Sequence, residues 1–376
     1  MLRRRDHRTP DLDKWLHEKL EALICEAEAQ GRDPQLVIEG LGNSIETIVN
    51  ETAPQLIASL KRTAPRMLRE HRRIARRFEK RLRKNWGRAL DMFYALCVCA
   101  LEIGEEFAYR NEAVARKEGD LVYEAAVGLH ARACRVATEV HTLLEAGFPY
   151  GARARCRTLH EIAVTTCLLT EHGRSAEYSD LAERFFLHDA MMRYREAVDY
   201  QERCRELDME PFSEQEMEEM KDERDQLIQR FGPSFKRDYG WAAPLAPSLQ
   251  FREIEACVNM SHLRSYYAWA SNEVHSGVRG WVQNHIDFRG QTIRLAGRTN
   301  NELTDPAQMA MISLLQVTTA LLVDGSTQGP TLIDLLALNA MQKLLEDATS
   351  AFMAAQDAID QAEEKHEAHL NRAQNK

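Results

Sequence analysis

The sequence predicts a mainly α protein, a multi-helix bundle, on three observations. Apolar residues recur at spacings of three and four along most of the chain. Ala, Leu, Glu and Arg dominate, with 18 glycines and 11 prolines in 376 residues, a composition that favours helix. The hydrophobic fraction of 44% suffices for a large packed core. One departure is expected. IleAspPheArgGlyGlnThrIleArgLeu alternates about ArgGly and predicts a small β-hairpin near 286–295.

Residues 1–60 read as short amphipathic helices broken near Gly31–Pro34, Gly40–Asn43 and Pro54. Beyond Pro65 a long helix runs to about Ala115, with Ile74, Phe78, Leu82, Trp86, Leu90, Phe93 and Leu96 or Cys97 as its buried stripe. The next helix, 121–147, ends where Gly147 caps it and Pro149 stops it. One helix follows from Tyr150 to Glu171, and another from about Ser175 or Ser179 through Arg205. The acidic stretch 213–224 reads as half of a solvated helical hairpin. Residues 231–244, rich in Gly, Pro and aromatics, read as a binding loop or a packed lid. A helix over about 250–283 comes next. Thr304–Asp305–Pro306 starts a helix to about 323, and the last runs over 331–365 before a polar tail. The organisation expected is an N-terminal helical extension (1–65), a central helical domain (66–300) and C-terminal helices with a polar tail (301–376).

The formal charge of −9 argues for a soluble chain. Eight cysteines are scattered with no Cys-x-x-Cys pair and no zinc-ligand spacing, which fits reduced thiols in a cytoplasmic protein. The charged N-terminus has no apolar run behind it. Met309–Val323, the most apolar stretch, is short for a span and carries Gln316, Thr318 and Thr319, so a buried helix is expected. No glycine-rich phosphate loop, dinucleotide fingerprint or nucleophile elbow is present, and no metal or cofactor is expected.

Three strings on separate helices put polar groups on apolar stripes. Arg157 and Glu161 share a stripe with Val164 and Leu168. Arg184 and His188 lie one turn apart beside Leu181, Phe185 and Met192. Ser271 and His275 follow Tyr267 and flank Val274 and Val278. Buried polar groups are costly unless paired, so the three helices are expected to meet there. Two readings stay open. In one, the cluster is a structural network that fixes register. In the other, His188 or His275 is a general acid/base, Glu161 orients it, and Arg157 or Arg184 holds an anion. Tyr239 or Trp241 would wall a pocket if the 231–247 loop covers the cluster.

The long helix is very basic in its first half: Lys61, Arg62, Arg66, Arg69, Arg72, Arg73, Arg76, Arg77, Lys80, Arg81, Arg83, Lys84 and Arg88. Lysine and arginine at this density neutralise nucleic-acid phosphates without reading sequence. The acidic 213–224 stretch, a second subunit or a protein partner would satisfy the same charges.

The order of ArgPheGluLysArgLeuArgLysAsnTrp (77–86), GlyPheProTyrGlyAlaArgAlaArgCysArgThrLeuHisGlu (147–161), AlaGluArgPhePheLeuHis (182–188), TyrGlyTrpAlaAlaPro (239–244) and TyrTyrAlaTrpAlaSerAsnGluValHis (266–275) resembles a bacterial family known only as domain of unknown function 5677. The likeness covers roughly 75–285. It implies a grouping of Arg157, Glu161, Arg184, His188, Ser271 and His275, but no chemistry. A second likeness is to the HEPN superfamily, whose metal-independent ribonucleases carry an Arg, four to six residues, then His. Arg155 and His160 match with four between, and Arg153 and His160 with six. That likeness implies that His160 moves a proton at the ribose hydroxyl while arginine stabilises the phosphorane, in a bacterial defence or toxin-like system. His160 lies off the Arg157/Glu161 stripe. Two functions therefore stand side by side: a non-catalytic helical sensor or scaffold binding nucleic acid or a protein partner, and a HEPN-like ribonuclease.

Overall fold

A computed structural model describes residues 12–31, 41–283, 285–288 and 291–374. The chain forms two compact units, 1–77 and 78–376. Helix α1 spans Leu12–Ala29. Helix α2, Leu41–Glu118, gives its first part to one unit and its remainder to the other. Pro54 and Pro65 lie inside α2, so Pro54 does not end a helix as expected. Its start at Leu41 fits the expected break at Gly40–Asn43, while residues 32–34 of the first break lie outside the described residues.

In the second unit the α2 stripe is buried from Leu82 through Trp86, Leu90, Phe93, Leu96 and Cys97. Phe78 is half-buried, and Ile74 in the first unit is exposed. Helices α3 (Leu121–Glu145) and α4 (Pro149–His172) form a tight pair. Asp120 caps α3 by accepting the Tyr123 N–H. Gly147 follows its end at φ +80°, where an added Cβ would meet Phe78 and the Thr299 carbonyl. Pro149 does not only stop α3; it opens α4, where its missing N–H costs nothing.

Helices α5 (Leu181–Leu187) and α6 (Asp189–Arg203) replace the single helix expected over this stretch, and meet at His188. Helix α7 (Glu214–Phe231) begins at a Ser213/Glu216 capping box and pairs with α6, completing the expected hairpin. Short 3₁₀ turns at Pro233–Lys236 and Gly240–Ala242 fold the next segment.

The expected 250–283 helix is instead three pieces: α8 (Phe251–Cys257), α9 (Arg264–Ser271) and α10 (Val278–Gln283). Asn259 adopts φ +55°, which ends α8, and a 3₁₀ turn at Ser261–Leu263 leads into α9. Strands β1 (His285–Phe288) and β2 (Gln291–Arg294) pair antiparallel, His285 opposite Arg294 and Phe288 opposite Gln291. The ArgGly at 289–290 lies outside the described residues.

Helix α11 (Thr304–Asp324) packs on both α3 and α4, and α12 (Leu332–Gln374) packs on α11. By length and composition α11 alone among the described helices could cross a membrane, and 67% of its apolar window is buried inside the protein. The core of the unit joins α2, α3, α4 and α11 with residues of α8 and α9. The cysteines are free thiols, and burial pushes Cys97, Cys134, Cys156 and Cys167 up to about 12.

Candidate functional site

Helix α4 carries three polar side chains toward the segment after residue 250, at Arg153, Arg157 and His160. Steps of four and three keep them on one face. Each meets a different partner set.

Arg157 is three-quarters covered. Its Nε donates to Glu161 Oε1 at 3.2 Å and to the Tyr267 hydroxyl oxygen at 3.1 Å, while Tyr267 donates to the same Glu161 oxygen at 2.7 Å. Arg157 Nη1 lies 3.4 Å from His275 Nε2. An arginine only donates, so this contact needs the His275 tautomer whose Nε2 accepts. Burial, then the bond to Glu161, pushes the Tyr267 phenol well above its usual range, so it stays a donor. Burial, and then the Glu161 charge, also pushes the Tyr239 phenol up.

His160 is buried next to this group. Its Nε2 lies 2.9 Å from Glu255 Oε1, and the other Glu255 oxygen accepts from Arg264 Nη1 at 2.9 Å. Glu255 is fully buried. The Tyr267 ring links the two groups, with the Arg157 and Arg264 guanidinium carbons 5.1 and 4.9 Å from its centre.

Arg153 is buried as well. It reaches Glu273 at 3.4 Å and Glu302 at 3.2 Å and lies over the Tyr150 and Trp269 rings. Its Nε is buried without a partner among the described residues. Burial pushes Tyr150 up to about 12 and raises Glu273.

The six grouped residues do not form one cluster. Arg157, Glu161 and His275 meet. Ser271 instead donates to the Tyr267 carbonyl one turn back, at 2.9 Å. Arg184 pairs with Asp180 at 2.7 Å and lies over the Phe231 ring. His188 is buried against Phe235, with its Nε2 2.8 Å from the Arg237 carbonyl, and burial lowers its pKa. The 233–240 segment thus binds His188 at Arg237, while its Tyr239 ring packs on Phe251. Trp241 is buried against Phe185.

Arg155 and His160 are also parted. Arg155 binds Glu139 of α3 at 2.6 Å, whereas His160 faces Glu255 of α8. The residues that sequence reasoning missed are Glu255, Arg264, Glu273 and Glu302. Glu255 was discoverable, since Phe251, Ile254 and Val258 put it on an apolar stripe by the logic that singled out Arg157. The others lie at element ends that periodicity does not mark.

Three strings of this site fall inside one matched segment. Residues 123–292 match the family of unknown function DUF5677. The DUF5677 match holds α3 through β1 and all three α4 side chains, and leaves out Glu302. No curated protein and no solved structure matches the chain. Among the described residues no group of three or more His, Cys, Asp or Glu side chains is placed to hold a metal.

Proposed function

We propose that the protein is a non-catalytic helical scaffold that grips a nucleic-acid backbone through the basic face of α2 in the first unit. One observation carries this reading. All eight cations from Lys61 to Arg77 are exposed, and Arg62, Arg66, Arg69, Arg73 and Arg76 recur at steps of three or four along one face. Such a row meets phosphates spaced along a strand and carries no sequence code. The α2 cations Lys80, Arg81, Arg83, Lys84 and Arg88 of the second unit are exposed too, but there Arg83 is tied to Asp91 and Glu145 at 2.6 and 2.8 Å, while in the first unit Arg73 lies 4.0 Å from Glu70. On this reading the polar groups around α4 are the keystone of the second unit, since each buried charge is spent on a neighbour.

A ribonuclease of the HEPN kind would need His160 and an arginine open at one cleft, whereas Arg155 turns to Glu139 and Arg153, on the His160 face, is buried against Glu273 and Glu302. The test is fluorescence anisotropy of a single-stranded RNA and a DNA duplex titrated with the full chain over a salt series. Replacing Arg66, Arg69, Arg73 and Arg76 by glutamine should flatten the log K against log salt slope on single-stranded RNA by roughly 3. An unchanged slope, or no binding at low salt, overturns the reading. The second outcome leaves a protein partner or a second copy as the owner of that face. Run beside it with EDTA present, RNA cleavage lost in a folded His160→Ala variant would establish the ribonuclease instead.

A further inference from the structure

Helix α2 spends one face on the core of the second unit and leaves a second stripe exposed. From Lys84 to Tyr109 this outer stripe advances in alternate steps of four and three, the spacing of a coiled-coil seam. One end is basic, with Lys84 and Arg88 exposed, and the other is acidic, with Glu102, Glu105 and Glu106 exposed. None of these five has an ion-pair partner among the described residues. Between the two ends the stripe is apolar. Ala95 is exposed and Val98 half-buried, and Tyr94 and Leu101 beside them are 50% and 44% exposed. Tyr94, Val98 and Leu101 line a groove of about 720 Å³ between α2 and α3.

We propose that this stripe is the two-fold interface of a homodimer, in which α2 packs antiparallel on α2 of a second copy. Charge selects the occupant and its direction. A surface basic at one end and acidic at the other is complementary to itself when turned end for end, whereas a parallel pair would set Arg88 against Arg88 and Glu105 against Glu105. Spacing selects the register. The steps of four and three read the same from either end, so a two-fold axis between Ala95 and Val98 brings each position of the stripe onto another. Arg88 then faces Glu105 of the second copy. Lys84 comes beside its Glu106 and its Tyr109, a side chain 82% exposed in the single chain. Asp91 faces Glu102, a like-charged pair, but Arg83 already holds Asp91 at 2.6 Å. At the centre Ala95 meets Val98, and the small alanine lets the helices approach while Tyr94 and Leu101 of each copy enter the α2–α3 groove of the other. The row of cations assigned to nucleic acid ends at Arg77, in the first unit, so neither inference rests on the other.

The experiment is sedimentation velocity on the full chain, freed of nucleic acid, at tens of micromolar. Wild type should sediment at twice the chain mass. The double variant Lys84→Glu/Arg88→Glu makes the basic end acidic, and Glu105→Lys/Glu106→Lys makes the acidic end basic. Each alone sets like charges against one another, and its dimer Kd should rise at least about tenfold. An equal mixture of the two should dimerise again, because each reversed end then faces one of opposite sign. Charges that only support the fold of their own chain would give no such recovery on mixing. Ala95→Lys, which sets like charges at the centre, should give the same loss, and replaces either double variant if that one fails to fold in a thermal melt. A wild type that stays monomeric overturns the proposal. So do charge-reversed variants that remain dimeric, which would put the interface elsewhere, and folded variants that stay monomeric when mixed.

Discussion

Glu255→Ala is the sharpest test of the α4 network. The carboxylate is fully buried, with one oxygen on His160 and the other on Arg264, each at 2.9 Å. Removing it leaves the His160 ring nitrogen, on a side chain only 5% exposed, with no partner, and breaking a buried pair costs roughly 3–5 kcal/mol. The Arg264 half counts for little, because that side chain is 40% exposed and water takes over its bond, so its share is about 0–1 kcal/mol. For a unit of this size about 2 °C is lost per kcal/mol, so the melting temperature should fall by roughly 6–10 °C. Glu255→Gln keeps the shape and one acceptor for His160, and should cost roughly half as much. Measured by calorimetry and urea titration, the double variant Glu255→Ala/His160→Ala should be more stable than the sum of the singles predicts, by about 0.5–3 kcal/mol. A Glu255→Ala protein melting within about 2 °C of wild type would refute the keystone argument.

Three further outcomes follow from other contacts. Burial lowers His130 to about 4, so its proton is bound more weakly in the folded chain than in the unfolded one. Stability from this group is whole above pH 6.5 and is lost as pH falls toward 4. The loss is about 3 kcal/mol, and His130→Gln should remove that part of the slope in urea midpoints compared at pH 7 and pH 4.5. His141 and His188, also lowered by burial, add to the slope in the same direction. Gly104→Ala should destabilise by about 1–3 kcal/mol, since its Cβ would overlap the His130 ring, and His130→Ala should partly rescue it in a thermal melt. Arg157→Ala should lower the melting temperature by only a few degrees, about 1–2 kcal/mol, because its pair with Glu161 is partly open to water; an unchanged curve would count against that pairing.

Periodicity and caps made α3, α4, α7 and α11 legible in the sequence. It failed where a helix breaks without Gly or Pro. Asn259 leaves the helical region with no such marker, so α8 and α9 read as one helix. The site was half legible for a related reason. A polar residue on an apolar stripe is visible from one helix alone, which is how Arg157, Glu161 and His275 were found. Which helix supplies the partner is not visible that way, and so Arg184 and His188 were grouped with Arg157 although they bond Asp180 and Arg237. Arg155 and His160 failed for the opposite reason: five residues apart on a helix they share no face, and they turn to α3 and α8 respectively.

The partners of α4 share one property. Glu255, Arg264, Tyr267, Glu273, His275 and Glu302 all lie between α8 and the start of α11, the least regular stretch of the second unit. Short helices of six to eight residues bury too little of their own surface to be stable alone. Arg153, Arg157 and His160 supply what regular packing does not, at three successive points along one face of α4. Apolar packing alone would tolerate sliding of these short pieces. Directional bonds to fixed arginine and histidine atoms do not, since a shift of one residue would leave buried charges unpaired. The network therefore sets the register of the segment that carries Tyr266 and Tyr267.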